Sequence, residues 1–201
     1  MKLFHSATSP VVRKVMVLIH ETGLRGVELV PAAGTPVAPD TMPLDHNPLG
    51  KIPALILDDG RAIYDSRVIC RYLDDQANAG LYPDDDTLWD TLTLEATADG
   101  MLEAAVLMVY ESRLRPDDMR FTPWVEGQWA KIARALDAVE RNWKGHLAGP
   151  MDMGQIALAC ALGYLDFRHP ARNWRANHPG LAAWEAAFAA RPAMRRTVPQ
   201  G

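Results

Sequence analysis

Residues 50–66, GKIPALILDDGRAIYDS, place two short apolar runs around a turn and follow them with a polar Asp65-Ser66 pair. The runs PALIL and RAIY predict two short strands, and the Asp-Gly dipeptide between them is typical of a hairpin. Pro53 has no N–H for a strand ladder, so it either begins the first strand or holds the backbone in an unusual shape. Asp65 or Ser66 then caps an amphipathic helix over SRVICRYLDDQ.

The residues upstream of this hairpin predict an alternation of strands and helices. Short apolar strands are indicated by KLFH and GVELV, and apolar residues at helical spacing lie between them in PVVRKVMVLIHETG. Pro10 in the first turn and Gly23 just past the end are typical boundaries of that helix. A loop or an irregular helix is indicated by PAAGTPVAPDTMPLDHNPLG. The predicted order is therefore βαβαββα over residues 1–77.

Strand signals disappear after the acidic, turn-forming segment NAGLYPDDD, and we interpret residues 78–86 as a linker. Four segments with helical patterns follow: TLWDTLTLEATADGMLEAAVLMVYESRL, TPWVEGQWAKIARALDAVERNW, DMGQIALACALGYLDF and GLAAWEAAFAA. The third is nearly all apolar after its start, which predicts a central, buried helix. We therefore predict an α/β domain over residues 1–77 and an all-helical domain over residues 87–201.

Composition excludes several classes of protein. The formal net charge of −4 gives no electrostatic reason to expect a nucleic-acid partner. No apolar run is long enough to cross a bilayer, and the first residues lack a signal-peptide pattern, so we expect no membrane association. Cys70 and Cys160 lie in apolar stretches, which predicts buried thiols in a cytoplasmic protein. Without a C-x-x-C motif or histidines at ligand spacing, we expect no metal site.

Three features of the first domain could bind a small molecule. Ser9 lies at the start of the first predicted helix, where it serves either as a plain N-cap or as part of an anion site. If the Ile52–Pro53 bond is cis, the main chain of Ile52 could pair with a peptide-like ligand, but the sequence alone leaves that isomer open. Asp65 and Ser66 suit the ammonium and carboxylate of an amino-acid head group, or they simply cap the next helix.

These features, in this order and before a helical domain, resemble the glutathione S-transferase superfamily. The segments TSPVVRKV, NPLGKIPAL, DSRVICRYLD and QIALACALGYLDFR are most similar to its bacterial YibF-like group. The resemblance covers the whole chain. It implies a thioredoxin-like first domain, an all-α second domain, a symmetric homodimer, and glutathione as a co-substrate without a metal.

The resemblance also implies roles for the glutathione site. Pro53 would be cis, and Ile52 would pair through its backbone with the cysteinyl part of glutathione. Lys51 would reach the glycyl carboxylate or the cysteinyl backbone. Asp65 and Ser66 would hold the γ-glutamyl end, although the family commonly has Glu where this chain has Asp65.

A capping motif of the family's helical domain falls on Asp152 and Gln155. An aspartate cap with Gln three residues later can form a capping box. For this pair we expect a folding role and no catalytic one.

The chemistry implied by the resemblance is thiolate formation at the first helix. A free thiol titrates near about 8.5, and lowering its pKa by about two units takes roughly 2.7 kcal/mol. A hydroxyl donor and a helix N-terminus could supply that stabilisation. Ser9 is the first candidate donor, with Thr8 and Ser6 as alternatives. The thiolate would attack a small hydrophobic electrophile, for which the candidate pocket residues are Met101, Ala105, Met108, Tyr110 and Tyr164.

Two other functions stay open. One is glutathione-dependent reduction of a disulfide or peroxide, and the other is a protein of this fold that acts only by binding other proteins. The family's tyrosine type is excluded by its pattern, since the first segment has no tyrosine. Serine instead of cysteine at position 9 argues against mixed-disulfide chemistry. The joint presence of Ser9, Lys51 to Pro53 and Asp65-Ser66 favours the transferase.

Overall fold

A computed structural model describes residues 1–200 and divides them into two compact units. The first unit consists of Met1–Asp84 together with the residues from Arg191 onward, and the second is Asp85–Ala190. Each unit has a core of its own.

The first unit contains a four-stranded mixed sheet. Its strands are β1 (Lys2–His5), β2 (Glu28–Pro31), β3 (Ala54–Ile56) and β4 (Ala62–Ile63), in the order β2-β1-β3-β4. The β1–β2 pair is parallel, whereas β1–β3 and β3–β4 are antiparallel. The predicted hairpin is thus β3–β4, with Pro53 directly before its first strand.

Two helices accompany this sheet, α1 (Pro10–Thr22) and α2 (Ser66–Ala77), and they pack against each other. Pro10 occupies the first turn of α1, and Gly23 ends the helix in a left-handed conformation with φ +67°. The core of the unit is made of apolar side chains with no exposed surface, among them Leu3, Val15, Leu18, Leu55 and Ile69.

The predicted order βαβαββα differs from the structure at one place. No helix lies between β2 and β3 in the described chain, where turns and one isolated bridge between Thr35 and Ala38 are found instead. The segment carries a proline every three to five residues from Pro31 to Pro48. Because proline removes a helical N–H and clashes with the preceding turn, this spacing leaves no room for a regular helix.

The second unit is helical. It contains α3 (Leu88–Leu114), α4 (Thr122–Asn142), α5 (Lys144–Leu147), α6 (Met153–Arg168) and α7 (Pro179–Ala189). Short 3₁₀ turns cover Asp117–Met119, Pro170–Arg172 and Trp174–Asn177. The nearly all-apolar α6 is buried along most of its length, as its sequence predicts. It packs mainly against α3.

A glycine allows α6 and α3 to approach closely at one point. A Cβ atom on Gly154 would lie 2.8 Å from the carbonyl oxygen of Thr91 and 3.0 Å from Cβ of Leu94. These separations are below van der Waals contact, so any larger residue would push the two helices apart at the start of α6.

The last helix, α8 (Pro192–Arg196), belongs to the first unit, whereas the sequence predicted a helical domain that runs to residue 201. Two arginines tie this segment to α1. Arg13 donates from Nη2 to the Met194 carbonyl at 3.2 Å, and Arg191 pairs with the Glu21 carboxylate at 2.8 Å and 2.9 Å. A local helical pattern carries no information about which core the helix joins.

Among residues 1–200, no helix combines the length and apolar character that crossing a bilayer requires.

Candidate functional site

Ser9 forms the N-cap of α1, with an extended backbone at φ −83° and ψ 118°. Its Oγ accepts a hydrogen bond from the Val12 N–H at 3.4 Å, and its own N–H donates to the Ser6 carbonyl at 3.1 Å. Because Oγ acts as an acceptor in this cap, the hydroxyl proton can still be donated to another group. Ser9 is half-buried, so it combines a helix N-terminus with a usable O–H donor.

The alternative donors Thr8 and Ser6 lie in the turn that precedes α1. Their hydroxyl oxygens are 3.1 Å apart and share one hydrogen bond, and the Thr8 N–H points to Ser6 Oγ at 3.4 Å. These two hydroxyls therefore interact with each other, and of the three predicted donors Ser9 is the one at the end of the helix.

The segment Lys51 to Pro53 lies directly before β3. The Ile52–Pro53 peptide bond is cis, as is the Tyr64–Asp65 bond. Pairing between β1 and β3 ends with Phe4 and Ala54, so Ile52 lies beyond the last paired residue of the ladder. Pro53 is buried, Ile52 is partly exposed, and the Lys51 side chain is exposed.

The side chain of Asn47, a residue to which the sequence analysis gave no role, fixes this segment by hydrogen bonds. Asn47 is buried, its Nδ2 donates to the Lys51 carbonyl at 2.8 Å, and its Oδ1 accepts from the Leu49 N–H at 3.0 Å. A side chain that bonds both ends of the loop fixes the backbone shape there. The sequence signal was the Asn-Pro dipeptide, which is typical of turns but does not show what the turn presents.

Asp65 and Ser66 lie together at the start of α2. Asp65 is the N-cap, and its Oδ1 accepts from the Arg67 N–H at 3.1 Å. The Arg67 guanidinium also pairs with this carboxylate, with Nη2 2.7 Å from Oδ2. Ser66 is only 4% exposed and opens the first turn of the helix. The Arg67 pairing is a feature of the site that the sequence analysis missed.

The electrostatics of Asp65 keep it ionised. Partial burial raises the pKa of its carboxyl, but the hydrogen bonds and charge of Arg67 and the charge of Lys14 outweigh that effect, so the pKa lies below its usual value. Lys14 is fully buried in α1. The carboxylate is therefore a persistent negative charge at the end of a helix.

The five predicted pocket residues lie on two packed helices of the second unit. Met101, Ala105, Met108 and Tyr110 are on α3, and Tyr164 is on α6. Four of them are buried, and Tyr110 is the most accessible. His169 donates from Nε2 to the Ala105 carbonyl at 3.0 Å, which fixes the ring beside this group. As the lining of a substrate pocket, these residues remain a prediction.

Asp152 caps α6, as the sequence predicts. Its Oδ1 accepts from the Gln155 N–H at 2.8 Å, and its Oδ2 accepts from Thr91 Oγ1 at 2.6 Å. His146 Nε2 lies 2.7 Å from the same Oδ2, although the angle is poor for a hydrogen bond.

The Gln155 side chain does not form the reciprocal half of the predicted capping box. Its Nε2 donates to the carbonyls of His146 and Pro150, both at 2.9 Å. The reciprocal bond would need Gln155 Oε1 to accept from the Asp152 N–H, whereas the two bonds from Nε2 hold the amide towards the His146 and Pro150 carbonyls.

No group of three or more His, Cys, Asp or Glu side chains within residues 1–200 is arranged to hold a metal ion.

Comparisons with known proteins cover both units. The family described as "Glutathione S-transferase, N-terminal domain" matches residues 8–76, and "Glutathione S-transferase, C-terminal domain" matches residues 122–187. The chain is 33% identical over 207 residues to the "Uncharacterized GST-like protein YibF" of Escherichia coli, which covers 99% of this chain and 98% of that protein.

Two solved structures from Pseudomonas fluorescens Pf-5 are similar over the full chain. Both are described as a glutathione transferase family member. One contains bound glutathione and superimposes with a TM-score of 0.97 at 50% identity, covering 100% of this chain and 99% of that chain. The other contains bound S-(propanoic acid)-glutathione, with a TM-score of 0.93 at 48% identity and 100% coverage of each chain. These likenesses confirm the predicted fold class, a small mixed-sheet domain followed by a helical domain.

Proposed function

The chain belongs to the glutathione S-transferase family, and from that premise we propose that it is an enzyme that transfers glutathione, through sulfur, to a small electrophile. The observation that supports this most is the full-length likeness, at 50% identity, to a family member with bound glutathione.

The first unit supplies groups suited to each end of the tripeptide. The N–H groups and hydroxyl at Ser66 suit the γ-glutamyl carboxylate, since a helix N-terminus favours anions. The ionised Asp65 suits the γ-glutamyl ammonium. The main chain of Ile52 lies beyond the β1–β3 ladder and suits the cysteinyl backbone, which would add as a short antiparallel strand. Lys51 is exposed and suits the glycyl carboxylate.

Ser9 suits the sulfur of bound glutathione, because its hydroxyl lies at the N-terminus of α1 and keeps a proton to donate. Its hydroxyl donates to the sulfur and stabilises the thiolate, while the N-terminus of α1 adds its partial positive charge. Serine cannot remove the proton itself, so the thiol proton goes to water or buffer. In the transfer step the sulfur lone pair forms the new S–C bond, and the leaving group departs with the electrons of its own bond to that carbon. The products are the thioether and the released anion.

Three properties of the family extend this proposal. The electrophile is small and mainly apolar, with the five residues on α3 and α6 as its lining. The chain forms a symmetric homodimer, which agrees with exposed apolar side chains at Val37, Leu49 and Val68. It acts in the cytoplasm, which agrees with the buried cysteine side chains of Cys70 and Cys160. Sedimentation analysis at micromolar concentration tests the dimer, and a single monomeric species would contradict it.

The test of the function combines binding with product analysis. Glutathione binding is measured by calorimetry on the parent, on Ser66→Ala and on Ser112→Ala. Ser112 is an exposed serine on α3 whose Oγ bonds the Val109 carbonyl at 2.9 Å, so it controls for the loss of a hydroxyl. We expect weakened binding in Ser66→Ala alone.

Product analysis then identifies the reaction. Incubation of the parent with glutathione and a benzylic chloride should yield the thioether above the uncatalysed rate. Absence of glutathione binding in the parent would contradict the proposal. Catalysed formation of oxidised glutathione from an added disulfide, without any thioether, would replace transfer by reduction.

A further inference from the structure

Four side chains of the second unit form a cluster of tyrosines and arginines. Tyr110 and Arg113 are three residues apart on α3, and Tyr164 and Arg168 are four residues apart on α6. Each pair therefore shares a helix face, and the two helices pack against each other. Both tyrosines are among the predicted pocket residues, whereas the sequence analysis gave neither arginine a role. We call these four residues the Tyr–Arg cluster.

The two arginines of the cluster lack an acidic partner. Among residues 1–200, no carboxylate lies within ion-pair distance of Arg113 or Arg168. The acidic side chain two residues before each of them is bound to another arginine: Glu111 to Arg115 at 2.8 Å and Asp166 to Arg175 at 2.6 Å. The cluster therefore carries two positive charges that the protein does not compensate locally.

The cluster also presents a neutral hydroxyl donor. Burial raises the pKa of the Tyr164 phenol, although the charges of Arg168 and Arg113 lower it in part, so the group keeps its proton at neutral pH. Tyr164 is 4% exposed, and its ring lies 6.4 Å from the Phe167 and His169 rings, which limits its movement. The Arg168 guanidinium carbon is 3.8 Å from the centre of the Phe167 ring, a cation–π contact that orients the charge.

Arg168 interacts with the Tyr164 phenol oxygen, but two guanidinium groups carry many more N–H donors than one phenol oxygen can accept. Guanidinium forks match carboxylates, and charge-assisted hydrogen bonds are stronger than neutral ones. The apolar side chains of Met101, Ala105 and Met108 lie on the same helix as Tyr110 and Arg113. An apolar body with an acidic end is the chemistry that this surface complements.

We infer that the Tyr–Arg cluster determines substrate specificity by binding a carboxylate carried by the electrophile. The inference rests on the proposed transferase function and narrows its substrate class from small apolar electrophiles to those that also carry an acid. Arg113 and Arg168 act on the distant carboxylate and not on the reacting carbon.

The experiment compares two electrophiles that differ in charge and share the same reacting carbon. These are 4-(chloromethyl)benzoate and 4-(chloromethyl)benzamide, assayed at saturating glutathione with the uncatalysed rate subtracted. We expect kcat/KM for the acid to exceed that for the amide by about tenfold or more, as expected for a charged hydrogen bond. Arg168→Gln and Arg113→Gln should each lower kcat/KM for the acid severalfold and leave the amide unchanged.

Arg134→Gln serves as the matched control, because Arg134 is an exposed arginine on α4 outside the cluster and its replacement removes the same charge. This variant should leave kcat/KM unchanged for both the acid and the amide. Arg113 is exposed, so its variant keeps the test informative even if Arg168→Gln fails to fold.

The outcomes distinguish failure of this inference from failure of the proposed transferase function. Equal kcat/KM for acid and amide in the parent, with both conjugated, would overturn the inference and leave the transferase intact. An equal loss for both electrophiles in the arginine variants would also overturn it, because it would indicate a structural role. Failure of the parent to bind glutathione or to conjugate either electrophile would overturn the proposed function, and the inference with it.

Discussion

Two aspartates, Asp65 and Asp152, perform the same local task in the two units. Each is an N-cap with an extended backbone, and each accepts a hydrogen bond from a main-chain N–H of the helix that follows. Their surroundings differ. The Asp65 side chain is 51% exposed and pairs with Arg67, two residues along the chain. The Asp152 side chain is 8% exposed and contacts Thr91 on α3 and His146 on α5.

The difference shows that the same sequence signal, an aspartate before a helix, can have a structural role or a ligand-binding role. Removing Asp152 would leave the buried Gln155 N–H without its acceptor and the Thr91 hydroxyl with only its longer 3.3 Å bond to the Thr87 carbonyl, so the contribution of Asp152 is to folding. Asp65 is held by a local, exposed arginine, so its carboxylate can also be shared with a ligand. Burial and the origin of the partners, not the capping pattern, separate the structural cap from the candidate binding residue.

The largest expected effect is on stability, from Asp152→Ala. We expect the free energy of unfolding to fall by about 3 kcal/mol, since the loss of a cap costs about 1 kcal/mol and unpaired buried donors cost about 1–3 kcal/mol more. Urea unfolding at neutral pH measures the change. Asp65→Ala is the matched variant and should lose only about 1 kcal/mol, the cost of an exposed cap, because the exposed Arg67 pair contributes little. Equal losses in the two variants would remove the distinction between the caps.

The second effect concerns Ser9, the N-cap of α1. In the proposed function this residue both caps its helix, as Asp152 does, and contacts the ligand, as Asp65 does. Ser9→Ala should lower kcat/KM by about 10- to 100-fold, because a hydrogen bond to a charged group contributes about 1.5–3 kcal/mol. Without the donor, the thiolate of bound glutathione is less favoured, so the pKa of the bound thiol should rise. Thiolate absorbance against pH measures that rise. Ser6→Ala is the control, and a shift as large in Ser6→Ala would move the assignment away from Ser9.

The third effect concerns ligand affinity at Asp65. We expect Asp65→Ala to weaken glutathione binding about tenfold, through loss of a charge-assisted contact with the ammonium. Asp65→Glu should retain binding, since it restores the side chain common in the family. Calorimetry gives both dissociation constants, and Asp152→Asn, which keeps a capping acceptor, is the control. Unchanged binding in Asp65→Ala would make Asp65 a cap alone, like Asp152.

Local patterns predicted most of the secondary structure and the positions of the candidate site, because caps, turns and hairpins depend on neighbouring residues. The hairpin of β3 and β4 and the cap at Asp65 are of this kind. What the sequence could not predict depends on contacts between distant segments. No periodicity shows that α8 joins the first unit, since Arg13 and Met194 are far apart in the chain.

Besides the Arg67 pairing, two features of the site were missed for related reasons. The role of Asn47 depends on its burial under Lys51, and an Asn-Pro dipeptide is equally common in exposed turns. The uncompensated charge of the Tyr–Arg cluster depends on the neighbouring carboxylates of Glu111 and Asp166, which pair with Arg115 and Arg175 in the folded chain. The absence of a helix between β2 and β3 was, in contrast, readable from the prolines and is a correction that the sequence itself supports.

The smallest expected effect is on the pH dependence of stability. It arises because the pKa of Asp65 is lowered in the folded protein. A carboxyl whose folded pKa is lowered stabilises the fold above its unfolded pKa of about 3.9, and this contribution is lost as the pH falls through the folded value. Asp65→Asn keeps a capping acceptor and removes the charge. The parent should therefore exceed this variant in unfolding free energy at pH 6, by less than about 1 kcal/mol because the pair is exposed.

Urea unfolding of both proteins at several values between pH 6 and pH 3 measures this difference. It should shrink with the protonation of Asp65 and should also shrink in high salt, which screens the exposed Arg67 pair. A difference that stays constant down to pH 3 would mean that the carboxylate charge is not what stabilises α2. Asp65 would then act through its hydrogen bond alone, as a neutral cap would, and the contrast with Asp152 would rest on burial only.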